Sequence, residues 1–197
     1  MLASDPRAIG ALADHFGDGI KIQSSQCMPG PKLSDVMGDR HFKCILEIGT
    51  WQGISAAILA EHADNVITLD VVRRPEPEQV WAFFGVQDKI HHMVVDNDEK
   101  KAAVVRCLDF DAAFIDANHD RAHVSLDFAI CRAKCGCILF HDYPYAVPMG
   151  TSMPTSYDLS KHPPNSTGDG VGFLLDCVRP AGEIVRLPPF AWWRAPK

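Results

Sequence analysis

Residues 44–60 read CILEIGTWQGISAAILA. The apolar run Cys44–Ile48 is strand-like, and it stops at Gly49. After Gly53 the chain resumes as a small, aliphatic stretch from Ile54 to Ala63 that suits a helix. A missing side chain at Gly49 and Gly53 lets a ligand approach the backbone, and the helix start offers free N–H groups. Tight strand–helix packing explains the same two glycines equally well.

Working outward, four more short apolar runs read as buried strands: Val66–Val71, Ile90–Val95, Ala112–Ile115 and Cys137–Phe140. Amphipathic stretches at Pro77–Phe84, Glu99–Leu108 and Arg121–Lys134 lie between them. In the last, Val124, Phe128 and Cys131 follow i, i+4, i+7, with Ala122 and Ala129 beside them. Strand alternating with helix predicts an α/β fold, a parallel sheet with helices on both faces. A helix at Val171–Val178 and strands at Gly182–Leu187 and Phe190–Arg194 close the chain. Pro188-Pro189 makes a tight reversal, so that end is expected to be an antiparallel hairpin.

The 197 residues are 47% hydrophobic and 22% charged, which suits one globular domain with its own core. No apolar run approaches the ~18 residues of a membrane span, and Asp5-Pro6 interrupts any signal peptide. A net charge of −6, with basic residues paired at most, argues against a nucleic-acid partner held by phosphate neutralisation. Seven cysteines without a signal peptide read as reduced thiols of a cytoplasmic protein. Cys131, Cys135 and Cys137 lack a second C-x-x-C or paired histidines, so packing is preferred to zinc. Nine of the 14 prolines follow Asp142, and five fall in 143–169, which carries only three charged residues. That stretch is expected to be a substrate lid, with Tyr143, Tyr145, Met149, Met153 and Tyr157 lining an acceptor pocket. Residues 1–40 are expected to hold one helix (Pro6–Phe16) and a connector.

Parallel α/β sheets bind ligands at the carboxyl ends of their strands, so the residue ending each strand matters most. Asp70 stands 21 residues after Gly49, where an acid accepts hydrogen bonds from ribose hydroxyls; a solvated loop carboxylate is the alternative. Asp96-Asn97-Asp98 either cap the next helix or contact a base. Asp116 and Asp142 end neighbouring strands, and two desolvated carboxylates on one rim need a counter-charge. A divalent cation held by Asp116, Asp142 and His141 supplies it most simply. His119, one turn past Asp116, is placed as a general base. The competing readings are helix caps for Asp116 or Asn118 and a core histidine at His141. His123 is expected on the helix surface, and His15, His41, His62, His91 and His92 form no pattern.

In order along the chain, LEIGTWQGIS (46–55), ITLDVV (67–72), FIDANHDRAHVSLDF (114–128) and GCILFHDY (136–143) resemble the class I S-adenosylmethionine-dependent methyltransferases. Among these the resemblance is to the metal-dependent O-methyltransferases of catechol, caffeoyl-CoA and macrolide-sugar type. It implies a single Rossmann-like domain with a mostly parallel seven-stranded sheet, and methylation of a small-molecule hydroxyl. Glu47, Gly49 and Gly53 match the first motif around the methionine of S-adenosyl-L-methionine, with Thr50, Trp51 and Ser55 in the same loop. Asp70 matches the ribose acid, Asp96 the position beside the adenine, and Asp116 a residue shared by cofactor and metal. Asp116 and Asp142 match the metal carboxylates and His119 the base. The ion implied is Mg2+, or Mn2+ if His141 is a ligand.

Two departures stand out. Trp51 replaces the middle glycine of the first motif, and Tyr143 follows Asp142 where catechol-type relatives have Asn. Other classes also fit parts of the pattern. The glycine turn and acid suit an NAD-linked oxidoreductase, though Trp51 hinders a close pyrophosphate. A non-catalytic cofactor-binding protein is a third reading. A non-haem iron oxygenase ranks last because the H-x-D spacing is absent. The acceptor (sugar, polyol or phenol) is not specified, and a homo-oligomer is compatible with everything above.

Overall fold

The computed structural model describes residues 1–16, 31–142, 170–178 and 182–196. Helix α1 (Pro6–Phe16) and the short α2 (Leu33–Met37) precede β1 (Phe42–Ile48), α3 (Ile54–Leu59), β2 (Ala63–Asp70), α4 (Glu76–Phe84) and β3 (Ile90–Val94). Then come α5 (Asp98–Cys107), β4 (Ala112–Ile115), α6 (Arg121–Arg132), β5 (Cys137–Phe140), α7 (Gly170–Val178), β6 (Glu183–Leu187) and β7 (Phe190–Arg194). A 3₁₀ turn at Gln87–Lys89 leads into β3.

The strands form one seven-stranded sheet in the order β3-β2-β1-β4-β5-β7-β6. The first five in sequence pair in parallel, and β7 is antiparallel to both β5 and β6. The chain crosses from β3 on one side of β1 to β4 on the other, so the switch point falls between β1 and β4. Ile48 pairs with Ile115 there, which puts Gly49 beside Asp116. One further ladder bond pins each strand-end residue. Gly49 N–H donates to Leu69 O (2.8 Å), Asp116 N–H to Ile48 O (2.9 Å) and His141 N–H to Ile115 O (3.1 Å).

Both faces are covered, as continuous apolar strands require. Ile45, Val66, Phe114 and Trp192 pack on one side with Leu12 of α1, Leu33 and Met37 of α2, Ile58 of α3 and Trp81 of α4. Leu46, Ile48, Leu69 and Phe140 pack on the other with Val105 of α5, Phe128 of α6 and Leu175 of α7. Fully burying a large side chain such as these stabilises the fold by ~1.5–3 kcal/mol.

Several boundaries shift from the expected ones by one to three residues, and the larger differences lie at the end of α3 and in the N-terminal connector. Helix α3 ends at Leu59 and β2 starts at Ala63, because Ala63 already pairs with Phe42. The N-terminal connector also contains α2, too short to show periodicity, yet it buries Leu33, Val36 and Met37. The expected lid at 143–169 lies outside the described residues, as do Cys27 and the side chain of Cys177. Cys44, Cys107, Cys131, Cys135 and Cys137 are free. Burial pushes the thiols of Cys131 and Cys135 up, the latter to about 11, so both stay protonated packing groups. Among the described residues no helix is long and apolar enough to cross a membrane.

Candidate active site

The β1 turn owes its glycines to packing. A Cβ on Gly49 (φ +106°) would stand 2.1 Å from Asp116 O, and one on Gly53 (φ +79°) 2.7 Å from Trp81 Nε1. Trp81 Nε1–H donates to Gly53 O at 2.8 Å, tying α4 to the start of α3. Trp51, between the glycines, takes a left-handed φ of +46° and is 55% exposed.

Behind this turn Glu47 is completely buried. Thr68 Oγ1–H donates to Glu47 Oε2 at 2.5 Å, and the Thr50 and Thr68 hydroxyls are 2.7 Å apart. Glu47 Oε1 is buried without a hydrogen-bond partner. Burial pushes the carboxyl up to about 8 against the pull of the Ser55 and Thr68 hydroxyls; the charges of Asp116 and Asp70 add to the rise.

Asp70 closes β2 and organises the neighbouring loop. It accepts hydrogen bonds from Trp51 N–H (2.9 Å), Val72 N–H (3.2 Å) and Arg74 Nη1 (3.2 Å). The Arg74 guanidinium also covers the Trp51 ring, 5.0 Å from its centroid. Asp70, Arg74, Val95, Asp96, Lys101 and Asp127 are among the residues lining a cavity of about 500 Å³. Asp96 is turned toward Lys100 at 2.8 Å, and that ammonium holds its carboxyl below the usual range. Asn97 caps α5, its Oδ1 accepting from Lys100 N–H at 2.9 Å, so the helix-cap reading of this loop applies to Asn97.

A second cavity, of about 380 Å³, lies against Leu33, Ile54, Ile58 and Phe114, and its polar wall is Asp116, His119, His141 and Asp142. One ligand-capable atom each from Asp116, His119 and Asp142 falls within 4.8 Å of the others. His119 Nε2 is 3.0 Å from Asp142 Oδ2. His141 stands beside this trio: its Nδ1 lies 3.1 Å from both Asp116 Oδ1 and Asp142 Oδ1. Burial opposes charge on His141, but the two carboxylates outweigh it and hold the imidazole up to about 10. The protein thus carries an internal counter-charge for this rim. Burial likewise opposes charge on Asp142, yet His141 and His119 keep it below the usual carboxylate range. Asp142 adopts φ +57°, a conformation costly for a non-glycine residue outside a constrained site.

In chemical type the donor set fits a divalent ion, since a mixed oxygen and imidazole set suits Mg2+ or a first-row ion and the three atoms lie within 4.8 Å of one another. The two cavities share Gly49, Trp51, Asp116 and Ala117 on their walls, which gives an elongated ligand room to span them.

Of the expected site residues, Gly49, Thr50, Trp51, Gly53, Ser55, Asp116, His119, His141 and Asp142 share the smaller cavity, while Asp70 and Asp96 border the larger one. Glu47 lines neither cavity; it lies beneath the β1 turn. Asn118 makes the local turn, its Oδ1 accepting from Asp120 N–H at 2.9 Å, whereas the Asp116 carboxylate is turned to His141. His123, expected on the helix surface, is half-exposed and borders the larger cavity. Arg74, Lys101 and Asp127 were not singled out from the sequence. Asp127 carried a signal: a carboxylate on the helix face that also holds Val124, Phe128 and Cys131.

A family model described as "Methyltransferase domain" matches residues 46–143, the stretch carrying every strand-end residue above. No curated protein matches the chain. Several solved structures share its fold. An O-methyltransferase from Bacillus cereus in complex with S-adenosylhomocysteine aligns over 78% of this chain and 74% of its own, at 17% identity and a TM-score of 0.57. The O-methyltransferase TomG of Streptomyces achromogenes, involved in tomaymycin synthesis and solved with S-adenosylmethionine, aligns over 80% and 75%, at 15% identity and a TM-score of 0.59. The S-adenosylhomocysteine-bound methyltransferase PaMTH1 of Podospora anserina aligns over 79% and 73%, at 22% identity and a TM-score of 0.53. At these identities the likeness speaks for the fold; the family model, set on the same strand ends, makes residues 46–143 similar to a methyltransferase domain.

Proposed function

We propose that this chain binds S-adenosylmethionine across its two joined cavities and transfers the methyl group to a hydroxyl of a small molecule, aided by a divalent ion. The observation that carries the reading is Asp116: it borders both cavities and belongs to the Asp116–His119–Asp142 cluster. Bound where those cavities meet, the sulfonium supplies an electrophilic methyl group. Asp116 and Asp142 would hold the ion, whose charge would lower the pKa of an acceptor hydroxyl.

The chain's own residues then have defined tasks. Asp70, anchored by two backbone N–H groups, presents its carboxylate to the ribose hydroxyls in the larger cavity. The β1 turn with Thr50 and Ser55 surrounds the methionine end. With Nε2–H turned to Asp142 Oδ2, which holds the ring, His119 takes the acceptor's proton at its other ring nitrogen, Nδ1. Leu33, Ile54, Ile58 and Phe114 give the acceptor side an apolar wall that excludes water. Methyl transfer is an in-line displacement, so such positioning supplies much of the rate.

One observation favours a variant: His119 offers a ligand atom to the Asp116–Asp142 cluster, while His141 stands against both carboxylates as their counter-charge. In that variant His119 is the third metal ligand, and its lone pair is then unavailable to a proton. Thermal shifts and activity separate the alternatives. S-adenosylhomocysteine is expected to raise the melting temperature and NAD to leave it unchanged. Methyl transfer to a panel of phenols, polyols and sugars is expected to vanish in chelator and return with Mg2+ or Mn2+. Stabilisation by NAD alone refutes the reading, and full turnover in chelator refutes its metal.

A further inference from the structure

The larger cavity is bordered by two charged groups that the tasks above leave unused. Lys101 of α5 and Asp127 of α6 are both buried, with Nζ and Oδ1 2.5 Å apart. Lys101 Nζ also lies 3.0 Å from Asp98 Oδ1. An ammonium has three N–H donors, so two face carboxylates and one is spare. Asp127 Oδ2 is buried without a hydrogen-bond partner. A carboxylate serving only to tie two helices together gains nothing from a dry, unpaired oxygen, since that atom bears its full desolvation cost. Both side chains border the cavity that holds Asp70.

We propose that Lys101 and Asp127 read the edge of a purine base: the spare Lys101 N–H donates to a ring nitrogen, and Asp127 Oδ2 accepts from an exocyclic amine. The inference rests on the cofactor reading above and specifies how that cofactor's base is selected. Adenine fits on either edge, because its N6 amine stands beside an acceptor nitrogen, N1 or N7. Hypoxanthine does not, because its carbonyl oxygen would face Asp127 Oδ2 acceptor to acceptor. Asp96, the residue first expected beside the base, is largely exposed and turned to Lys100, which leaves the reading to the buried pair.

Calorimetry on the intact chain with S-adenosylhomocysteine and its deaminated form, S-inosylhomocysteine, tests this. The parent protein is expected to favour the adenosyl ligand on the order of 10- to 100-fold, the worth of one well-placed pair of base contacts. Asp127→Asn, whose amide can turn an N–H toward a carbonyl, is expected to bring the ratio to within about threefold. If that variant does not fold, Lys101→Gln combined with Asp127→Asn, a neutral pair of similar shape, carries the same test. Equal affinity of the parent for both ligands overturns the proposal. So does a variant that weakens both equally, which marks the pair as a tie between helices. A parent that binds neither ligand refutes the cofactor reading itself, and the proposal falls with it.

Discussion

His119 Nε2 lies 3.0 Å from Asp142 Oδ2, joining the loops that follow two neighbouring parallel strands, β4 and β5. The carboxylate fixes the ring on the wall of the smaller cavity. With His119 as the base, His119→Ala is expected to lower turnover by ~10²–10⁴-fold and leave S-adenosylhomocysteine affinity unchanged. Initial rates and calorimetry check this. Parent-like turnover removes His119 from the chemistry, and recovery at raised metal concentration assigns it to the ligand set instead.

Gly49→Ala tests how the switch point is built. Its Cβ would lie 2.1 Å from Asp116 O at a φ of +106°, so backbone must move. A positive φ alone costs an alanine ~1–2 kcal/mol, and the clash adds to it. A loss of ~2–4 kcal/mol in urea unfolding is expected, with activity lost as Asp116 shifts. A variant with parent stability would show that the two strand ends are not in this contact.

Glu47 makes stability fall as pH rises. Its carboxyl, ordinarily near 4.5, is raised by burial to about 8 in the fold. Between those values the unfolded chain releases the proton while the folded chain keeps it, so the folded state loses ground through that window. His141, raised from 6.5 to about 10, extends the decline toward alkaline pH. Urea midpoints measured from pH 5 to 8 are expected to drop, and Glu47→Gln to flatten the drop. An unchanged slope in Glu47→Gln locates the titration elsewhere.

The strand ends were legible because each lies where an apolar run stops, and a parallel sheet gathers such ends on one rim. Asp70, Asp116, His119, His141 and Asp142 all meet there for that reason. The sequence left open why Gly49 and Gly53 are glycines; the distances to Asp116 O and Trp81 Nε1 give packing as the cause. It also could not show that His141 would stand between the two carboxylates and offset one of their charges, since that depends on which way one ring points. Arg74 and Lys101 escaped notice because a basic residue near a helix start ordinarily reads as a solvated surface, and only the cavity shows otherwise.

Gly170 at the start of α7 joins the C-terminal helix to the loop carrying the candidate base. Its N–H donates to His119 O at 3.0 Å. A Cβ there would stand 2.3 Å from that oxygen and 3.0 Å from Asp120 C. Gly170→Ala therefore either breaks this bond or pushes residues 119–120 away, while Asp70 lies on another element, at the end of β2. A misplacement near 1 Å costs about 10²-fold in rate when the displaced group acts in the chemistry. Gly170→Ala is accordingly expected to lose turnover to about that degree, with S-adenosylhomocysteine affinity close to the parent's. Rates and calorimetry on the same preparation decide it. If affinity falls in step with rate, the contact supports the whole fold; if neither moves, His119 is held by its other neighbours.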